Sequence, residues 1–433
     1  MATGFYPVID GTTRKAKANY AVVGSTTRKI NKMYAVVDGV TRLIWGGEME
    51  INPVFNGLIA LCGSTRKIYT ISSNALEYLG SYSYVTPDDM LSKSGEYWID
   101  PSKTSAKLYK WSETEENYVR LVTGYSMADD IAAHTLAANG SYGVAGGGIA
   151  ADGSKALILA NRSDDDYGAT YGLIYDLTND TFVVSQALGA LNTHGAGSDH
   201  YWHVNTPSVS DDLSVIACDF QTSWTYNSTD YSEKGYSIWV KSGSGYTKIK
   251  FIEVDSDEIY LDTQVLKVSP SGQYITVPSS STEELVVVYY RSGTTLTQIG
   301  TFSDADKIWI NEESGIMTVM GGYSNYTYTL SFYKLSNSSI TLLGTYKLQA
   351  GQSSGGVTSM NAMADETVDG THIAIANTYS GYNSSAGTMI SGCSLSDYRT
   401  TRNTNGVITA LTDMTSIASN SSNQSYSAKY IGV

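Results

Sequence analysis

Short runs of alternating apolar and polar residues, each opened by a turn pair, recur along most of this chain. The pair is usually Asp or Ser followed by Gly, and apolar side chains then occupy every second position. Alternation with a period of two is typical of β-strands, whose successive side chains point to opposite faces. The seven copies are spaced 38 to 60 residues apart, at Asn56-Gly57, Ser94-Gly95, Asp152-Gly153, Asp211-Asp212, Ser271-Gly272, Ser314-Gly315 and Asp369-Gly370.

Each copy is followed by further strand candidates, such as Leu108–Trp111 and Tyr118–Val122. Units of roughly 40 to 60 residues with about four short strands are typical of β-propeller blades. The best helix candidate, near 126–134, amounts to one or two turns in a loop. The pattern therefore predicts an all-β chain with a β-propeller body. Seven blades fit better than six or eight, and two tandem β-sandwiches are the alternative architecture.

The last strand candidate, 425–433, lies at the C-terminal end of the chain. We expect it to join the first blade, because closing the ring of blades removes an exposed sheet edge.

The first 45 residues carry a different pattern, a 14-residue unit repeated three times without a gap. Each unit reads as strand, two-residue turn and strand, with Asp10-Gly11 and Asp38-Gly39 as hairpin signals. In the middle unit, this turn places Val23 opposite Thr26 and Ala21 opposite Arg28. Because 14 is even, equivalent residues keep equivalent faces, and they are the candidate docking residues Tyr6, Arg14, Tyr20, Arg28, Tyr34 and Arg42.

A ribbon of isolated hairpins is marginally stable in water and buries little core. We therefore predict two parts, a basic β-hairpin repeat arm at 1–47 that docks on a partner, and an acidic β-propeller at 48–433. The arm holds seven Lys or Arg and two Asp, a balance of +5, and the rest holds 21 basic and 40 acidic residues, a balance of −19. An acidic body repels nucleic acid and anionic lipid, so neither is an expected partner.

Candidate chemistry is densest at His194, Asp199, His200 and His203. Imidazole and carboxylate together bind zinc, but a Gly-rich loop does not fix ligand geometry, so a ligand-contacting loop is the favoured interpretation. The acidic loops 164–166 and 255–258 lack a calcium-binding frame and are interpreted as solvated charge. Loops 221–231 and 321–328 are rich in aromatic and polar side chains suited to sugar or protein recognition, with Trp224, Tyr226, Tyr323 and Tyr326 as candidate contacts.

No nucleophile elbow, phosphate loop or dinucleotide fingerprint occurs in the sequence. We therefore predict no catalytic residues, no metal, no cofactor and no enzymatic activity. The three cysteines, Cys62, Cys218 and Cys393, are far apart and odd in number, so they are interpreted as small buried thiols rather than a disulfide framework.

The arm, residues 6–45, resembles a repeat segment of structural proteins from tailed bacteriophages that infect Gram-positive hosts. Those segments carry tandem Tyr-x-Val-Val-Asp-Gly-Val-x-Arg-Lys-type units ahead of varied domains. The resemblance covers roughly a tenth of the chain, and the body matches no family beyond its propeller-like pattern. It implies a virion component, present in multiple copies, whose arm binds other virion proteins.

These observations together predict a bacteriophage virion protein that displays its propeller outward for host attachment, at the tail or a fibre, or for decoration of the particle. A propeller glycoside hydrolase acting on host surface polysaccharide is the alternative, since carboxylates and tyrosines are plentiful. The first residues, 1–7, lack the pattern of a signal peptide, and no stretch approaches 18 apolar residues. We therefore expect a protein made in a host cytoplasm and located in the virion, without a membrane partner.

Overall fold

The computed structural model describes the backbone of a discontinuous set of segments. They are residues 8–9, 12–13, 19–23, 26–30, 32–37, 40–46, 55–72, 75–82, 90–100, 107–120, 141–163, 168–177, 181–189, 201–203, 207–226, 229–243, 245–253, 265–279, 285–348, 353–354, 356–385, 387–422 and 425–432. The chain divides into two compact units, Met1–Asn52 and Pro53–Val433. Within these segments every regular element is a β-strand, which confirms the all-β prediction.

The first unit consists of three antiparallel hairpins, one for each sequence repeat. Val23 lies opposite Thr26 and Ala21 opposite Arg28, as the turn chemistry predicted. The third hairpin keeps this register, with Ala35 opposite Arg42. The strands are β1 (Val8–Ile9), β2 (Thr12–Thr13), β3 (Asn19–Val23), β4 (Thr26–Ile30), β5 (Lys32–Val37) and β6 (Val40–Gly46).

The described residues of the second unit form six sheets. We divide the nine-stranded one into two, which gives seven antiparallel groups of strands that we name blades 1 to 7. Blade 1 contains β7 (Gly57–Cys62), β8 (Thr65–Ser72) and β9 (Ala75–Gly80). Blade 2 contains β10 (Met90–Leu91), β11 (Tyr97–Asp100), β12 (Lys107–Ser112) and β13 (Asn117–Arg120). Blade 3 contains β14 (Ser141–Ile149), β15 (Lys155–Ser163), β16 (Gly168–Asp176) and β17 (Thr181–Gly189). Blade 4 contains β18 (Tyr201–His203), β19 (Ser208–Val209), β20 (Val215–Tyr226), β21 (Thr229–Ser242) and β22 (Gly245–Glu253). Blade 5 contains β23 (Lys267–Val268), β24 (Tyr274–Pro278), β25 (Val286–Ser292) and β26 (Thr295–Phe302).

Blades 6 and 7 are joined by one parallel residue pair, Thr327 with Asn361. They contain β27 (Ala305–Asn311), β28 (Ile316–Ser324), β29 (Thr327–Leu335) and β30 (Ile340–Lys347); and β31 (Ser353–Ser354), β32 (Val357–Glu366), β33 (His372–Asn383), β34 (Thr388–Arg402) and β35 (Ile408–Asn420). The last strand, β36 (Tyr426–Ile431), pairs with β7 in blade 1, which confirms the predicted ring closure.

The core lies between the blades rather than at one centre. Seven buried apolar clusters each join two consecutive blades, and one of them joins blade 7 to blade 1. A strand with both faces buried serves two clusters, because its alternate side chains face opposite neighbours. On β7, for example, Leu58 and Ala60 pack towards blade 7, and Ile59 packs towards blade 2. A closed cycle of contacts is the arrangement of a β-propeller.

From blade 2 to blade 7, the repeated turn pairs connect consecutive strands, whereas Gly57 of the first pair begins β7. Five of the turn glycines have positive φ angles, such as 71° at Gly272, which glycine adopts without a Cβ clash. In blade 4 the sequence repeat is placed one residue too early, because Leu213 rather than Asp212 occupies the glycine position, with φ of 56°. Its N–H donates to Ser210 O at 2.9 Å, the same bond that Gly272 N–H makes to Ser269 O at 2.8 Å.

Candidate functional site

The described part of the arm places four of the six docking residues on its strands. Tyr20 is on β3, Arg28 on β4, Tyr34 on β5 and Arg42 on β6. The register sets each Arg opposite an Ala of the partner strand, so Arg28 and Arg42 occupy equivalent positions. The other two docking residues, Tyr6 and Arg14, lie outside the described residues.

The histidine-rich segment is described only at its end. His203 closes β18 and lies opposite Gln221 of β20. The remaining candidates in this segment, His194, Asp199 and His200, lie outside the described residues, as do the acidic loops 164–166 and 255–258 and the helix candidate at 126–134.

The two aromatic segments are extensions of strands and not loops, so the loop assignment is wrong. Trp224 and Tyr226 lie at the C-terminal end of β20. The pairing of β20 with β21 ends where Tyr226 lies opposite Thr229. Alternating Thr, Trp and Tyr residues favour strand pairing as strongly as they favour a recognition loop, since all three are good β-formers. Their backbone pairing thus places these candidate contacts on two paired strands, β20 and β21.

The second aromatic segment is a tight hairpin between β28 and β29, which we call the tyrosine hairpin (residues 322–328). Its turn residues Asn325 and Tyr326 have φ angles of 49° and 60°, and Ser324 pairs with Thr327 across them. Two positive φ angles define a type I′ turn, which fits the twist of paired strands. Asn tolerates this conformation, but a Tyr at the second position carries a backbone cost of about 1–3 kcal/mol.

The tyrosine hairpin exposes aromatic surface. Tyr323 and Tyr326 are 47% and 36% exposed. The Tyr323 ring packs on that of Tyr328, with centroids 5.1 Å apart and planes at 46°. Burial, with smaller contributions from Asp306 and Tyr323, raises the pKa of Tyr328, so its hydroxyl stays protonated at neutral pH.

Neighbouring elements fix the base of this hairpin. Gly322 N–H donates to Asp304 O at 2.9 Å, which ties β28 to the start of blade 6. Thr327 forms the parallel pair with Asn361 of blade 7, whose side-chain oxygen accepts a hydrogen bond from Asn377 at 2.7 Å. The exposed aromatic rings of the hairpin are suited to stack on an apolar ligand face, and their hydroxyls can hydrogen-bond its rim.

A buried polar network, whose members lie far apart in the sequence, joins blade 7 to β36. Asp397 is fully buried, and its carboxylate lies 3.1 Å from His372 Nδ1 and accepts the Tyr430 hydroxyl at 2.6 Å. Asp365 accepts the Tyr430 backbone N–H at 2.7 Å and the Trp309 indole N–H at 3.2 Å. A register shift between Met363 and Asp365 in β32 re-aims this carboxylate into the interface.

The carboxylates of the network differ from ordinary surface acids. Burial raises the pKa of Asp365, against the smaller lowering effect of Lys429. Burial likewise raises the pKa of Glu366, against the opposing charge of Arg402, whose Nη2 donates to Glu366 Oε1 at 2.8 Å. Side chains this buried and mutually satisfied hold blades together, and they offer a substrate no access.

The cysteine prediction is wrong for two of the three residues. Cys62 and Cys393 form a disulfide with a Cα–Cα distance of 6.1 Å, and Cys218 is a buried free thiol. The pairing was invisible in the sequence because the partners are 331 residues apart, and only ring closure brings them together.

The described segments contain no group of three or more His, Cys, Asp or Glu side chains placed to hold a metal ion. The same residues include no helix that is long and apolar enough to cross a membrane.

Some solved structures are similar to this chain at low sequence identity. No family model and no curated protein matches the chain. A protein from Bacteroides uniformis named provisionally as a 6-phosphogluconolactonase has 11% identity and a TM-score of 0.46, covering 87% of this chain and 99% of that one. The propeller domain of the Trilobed protease from Pyrococcus furiosus has 10% identity and a TM-score of 0.41, covering 84% and 96%.

A third similar structure, an oligogalacturonate lyase in complex with manganese, has 10% identity and a TM-score of 0.37, covering 78% of this chain and 85% of that one. The prediction that the protein is not an enzyme is therefore corrected, because structures named as enzymes are among those with this fold. At such identities the similarity describes the fold alone.

Proposed function

We propose that the protein is a bacteriophage virion component that is held in the particle by its first unit and presents the propeller for host attachment. The observation that carries the proposal is the division of the chain into two compact units: the three repeat hairpins belong to 1–52, and the blades belong to 53–433. Two-stranded hairpins bury little apolar surface, so they gain stability by docking on a partner.

Charge supports the same division of roles. Residues 1–47 carry a balance of +5 and the remainder −19. Equivalent placement of Arg28 and Arg42 on successive hairpins provides repeated cationic groups for an acidic protein surface. Such contacts weaken as salt screens them.

The docking test compares particles assembled with the full chain and with a chain that lacks residues 1–52. We expect the truncated chain to fold but to be missing from purified particles, as measured by quantitative mass spectrometry. A full chain with Arg28→Ala and Arg42→Ala should be incorporated less at low salt, and its deficit relative to the parent should shrink as assembly salt is raised, because salt screens the ionic contacts of the parent. Normal incorporation of the truncated chain would refute the docking role.

Host attachment is assigned to the tyrosine hairpin. Tyr326→Gly removes an aromatic contact and also relieves the positive φ angle, so the variant should be as stable as the parent or about 1 kcal/mol more stable. We expect it to lose most binding to host cells while still entering particles. Tyr78→Ala is the control, because Tyr78 is 53% exposed on blade 1, away from the hairpin.

The readout is the fraction of labelled particles bound to host cells and to isolated cell-wall polysaccharide. Unchanged binding of the Tyr326→Gly particles would exclude the hairpin as the contact. Release of reducing sugar during the same incubation would instead support the glycoside hydrolase alternative.

A further inference from the structure

The disulfide lies at the one place where the ring of blades is not continuous in sequence. Cys62 ends β7 in blade 1 and pairs across the sheet with Tyr426 of β36. Cys393 is on β34 of blade 7, and both cysteines are fully buried in the cluster between these blades. We call this interface the closing seam, meaning the contact of blade 7 with β7, β8 and β36.

The seam has non-covalent contacts of its own. Besides the β36–β7 pairing, the Tyr69 hydroxyl donates to Ile417 O at 2.6 Å, and the Tyr430 hydroxyl donates to Asp397 at the other end of β36. Tyr426 and Tyr430 are four residues apart, so the disulfide and the polar network hold the seam at points about 13 Å apart. These contacts can close the ring before any covalent bond forms.

We propose that the Cys62–Cys393 disulfide is a redox-operated clasp: the ring closes non-covalently in reducing surroundings and is locked when the protein enters oxidising ones. A low-molecular-weight disulfide is the oxidant. One cysteine thiolate attacks it, forms a mixed disulfide and releases one thiol. The second cysteine thiolate then attacks the protein sulfur and releases the second thiol, so one disulfide of the oxidant is exchanged for the protein disulfide.

Because both cysteines are buried, thiol–disulfide exchange at this pair is only as fast as the opening of the seam. Neither sulfur is accessible in the closed ring, so the oxidant first, and a reductant later, each act only when the seam opens. Once formed, the bond limits that opening, because it prevents blades 1 and 7 from separating. The clasp requires only a change of redox environment, whatever partners the protein has.

The test uses the full chain, kept reduced or oxidised with glutathione disulfide. Thiol titration after non-reducing denaturation should give one thiol in the oxidised protein, Cys218, and three in the reduced protein. Reduction should lower Tm by about 5 °C, since a long cross-linked loop constrains the unfolded chain. Amide exchange should rise several-fold in β7 and in β34 to β36 but not in blade 5.

Cys218→Ala is the matched control and should show the same response to reduction, because Cys218 packs between blades 3 and 4. The double variant Cys62→Ala, Cys393→Ala should exchange like the reduced parent and ignore reductant. Three thiols after oxidation, an unchanged Tm on reduction, or an exchange increase spread evenly over all blades would each overturn the proposal.

Discussion

The contact between blades 1 and 2 and the closing seam are made from opposite materials. The first is dominated by large rings: Trp98 of blade 2 lies 5.7 Å from Tyr82, which follows β9 of blade 1, and Phe55 lies 4.4 Å from Trp111. The seam instead combines small apolar residues with the disulfide and the buried polar network, and the small residues are Ala60, Ala374, Ala376, Ala418 and Ala428.

The difference follows from how each contact forms. Blades 1 and 2 are neighbours in sequence, so a short connection brings them together and non-directional apolar contact suffices to hold them. The seam must bring β36 to β7 across nearly the whole chain, and a slip of one residue would turn every side chain to the wrong face. Directional bonds from Tyr430 to Asp365 and Asp397 reject such slips.

The largest expected effect tests the aromatic contact. Trp98→Ala removes a fully buried indole and should lower the free energy of unfolding by about 4 kcal/mol, measured by urea denaturation at pH 7. The control is Trp98→Phe, since the indole N–H has no acceptor among the described residues and Phe keeps much of the ring. A Phe variant as unstable as the Ala variant would contradict an apolar role for this contact.

The seam should fail differently. Asp397→Ala leaves the Tyr430 hydroxyl and His372 Nδ1 buried without their acceptor, so we expect a loss of about 3 kcal/mol. Amide exchange should rise first in β36, and reduction of the disulfide should become faster because the seam opens more often. Tyr430→Phe, which removes one bond and keeps the ring, should show the same pattern at about half the cost. Uniform loosening of all blades would argue against a local seam.

Much of the fold could be predicted from the sequence, because the features that predict it depend on residues close together in the chain. Period-two runs and turn pairs predicted the blades because strand pleat and positive φ are properties of a few adjacent residues. The two-residue turn of the 14-residue repeat likewise predicted the register of Ala21 with Arg28. The turn position of Leu213 was not predicted, since no sequence pattern distinguishes a leucine that adopts a φ of 56°.

The seam was hidden for the opposite reason. Asp365, His372, Asp397 and Tyr430 are spread over 66 residues and look like ordinary strand or turn residues until the ring closes. The Cys62–Cys393 pair needs the same closure. The tyrosines of the hairpin could be selected by composition, but their strand pairing could not, because aromatic residues favour strands and recognition loops alike.

Two turn glycines of blade 5 test how much close packing adds to backbone strain at the edge of the contact between blades 4 and 5. A Cβ at Gly272 would lie 2.5 Å from Val215 Cγ2 of blade 4, and one at Gly293 would have no neighbour within 4 Å. Both have positive φ, 71° and 62°. Gly272→Ala should therefore cost about 2–3 kcal/mol and Gly293→Ala about 1 kcal/mol. Equal losses, measured by urea denaturation, would mean that backbone conformation alone sets the cost.

The smallest effect compares a carboxylate in an ordinary blade turn with a carboxylate of the seam through the pH dependence of stability. Burial would raise the pKa of Asp212 in the blade 4 turn, but hydrogen bonds from Ser214 and Ser210 lower it overall. Its stabilisation is therefore present above the unfolded pKa, about 3.9, and is lost as pH falls through the lower folded value. Asp365 at the seam has a raised pKa, so its contribution is present below about 3.9 and is lost as pH rises through the folded value.

Urea denaturation from pH 3 to 8 of the parent, Asp212→Asn and Asp365→Asn resolves these signs. The stability of the parent relative to Asp212→Asn should shrink in acid, by less than about 1 kcal/mol. Its stability relative to Asp365→Asn should shrink towards neutral pH, by about 1 kcal/mol. Two differences that moved in the same direction would mean that turn and seam carboxylates are held alike, and the contrast between the regions would then rest on packing and the disulfide alone.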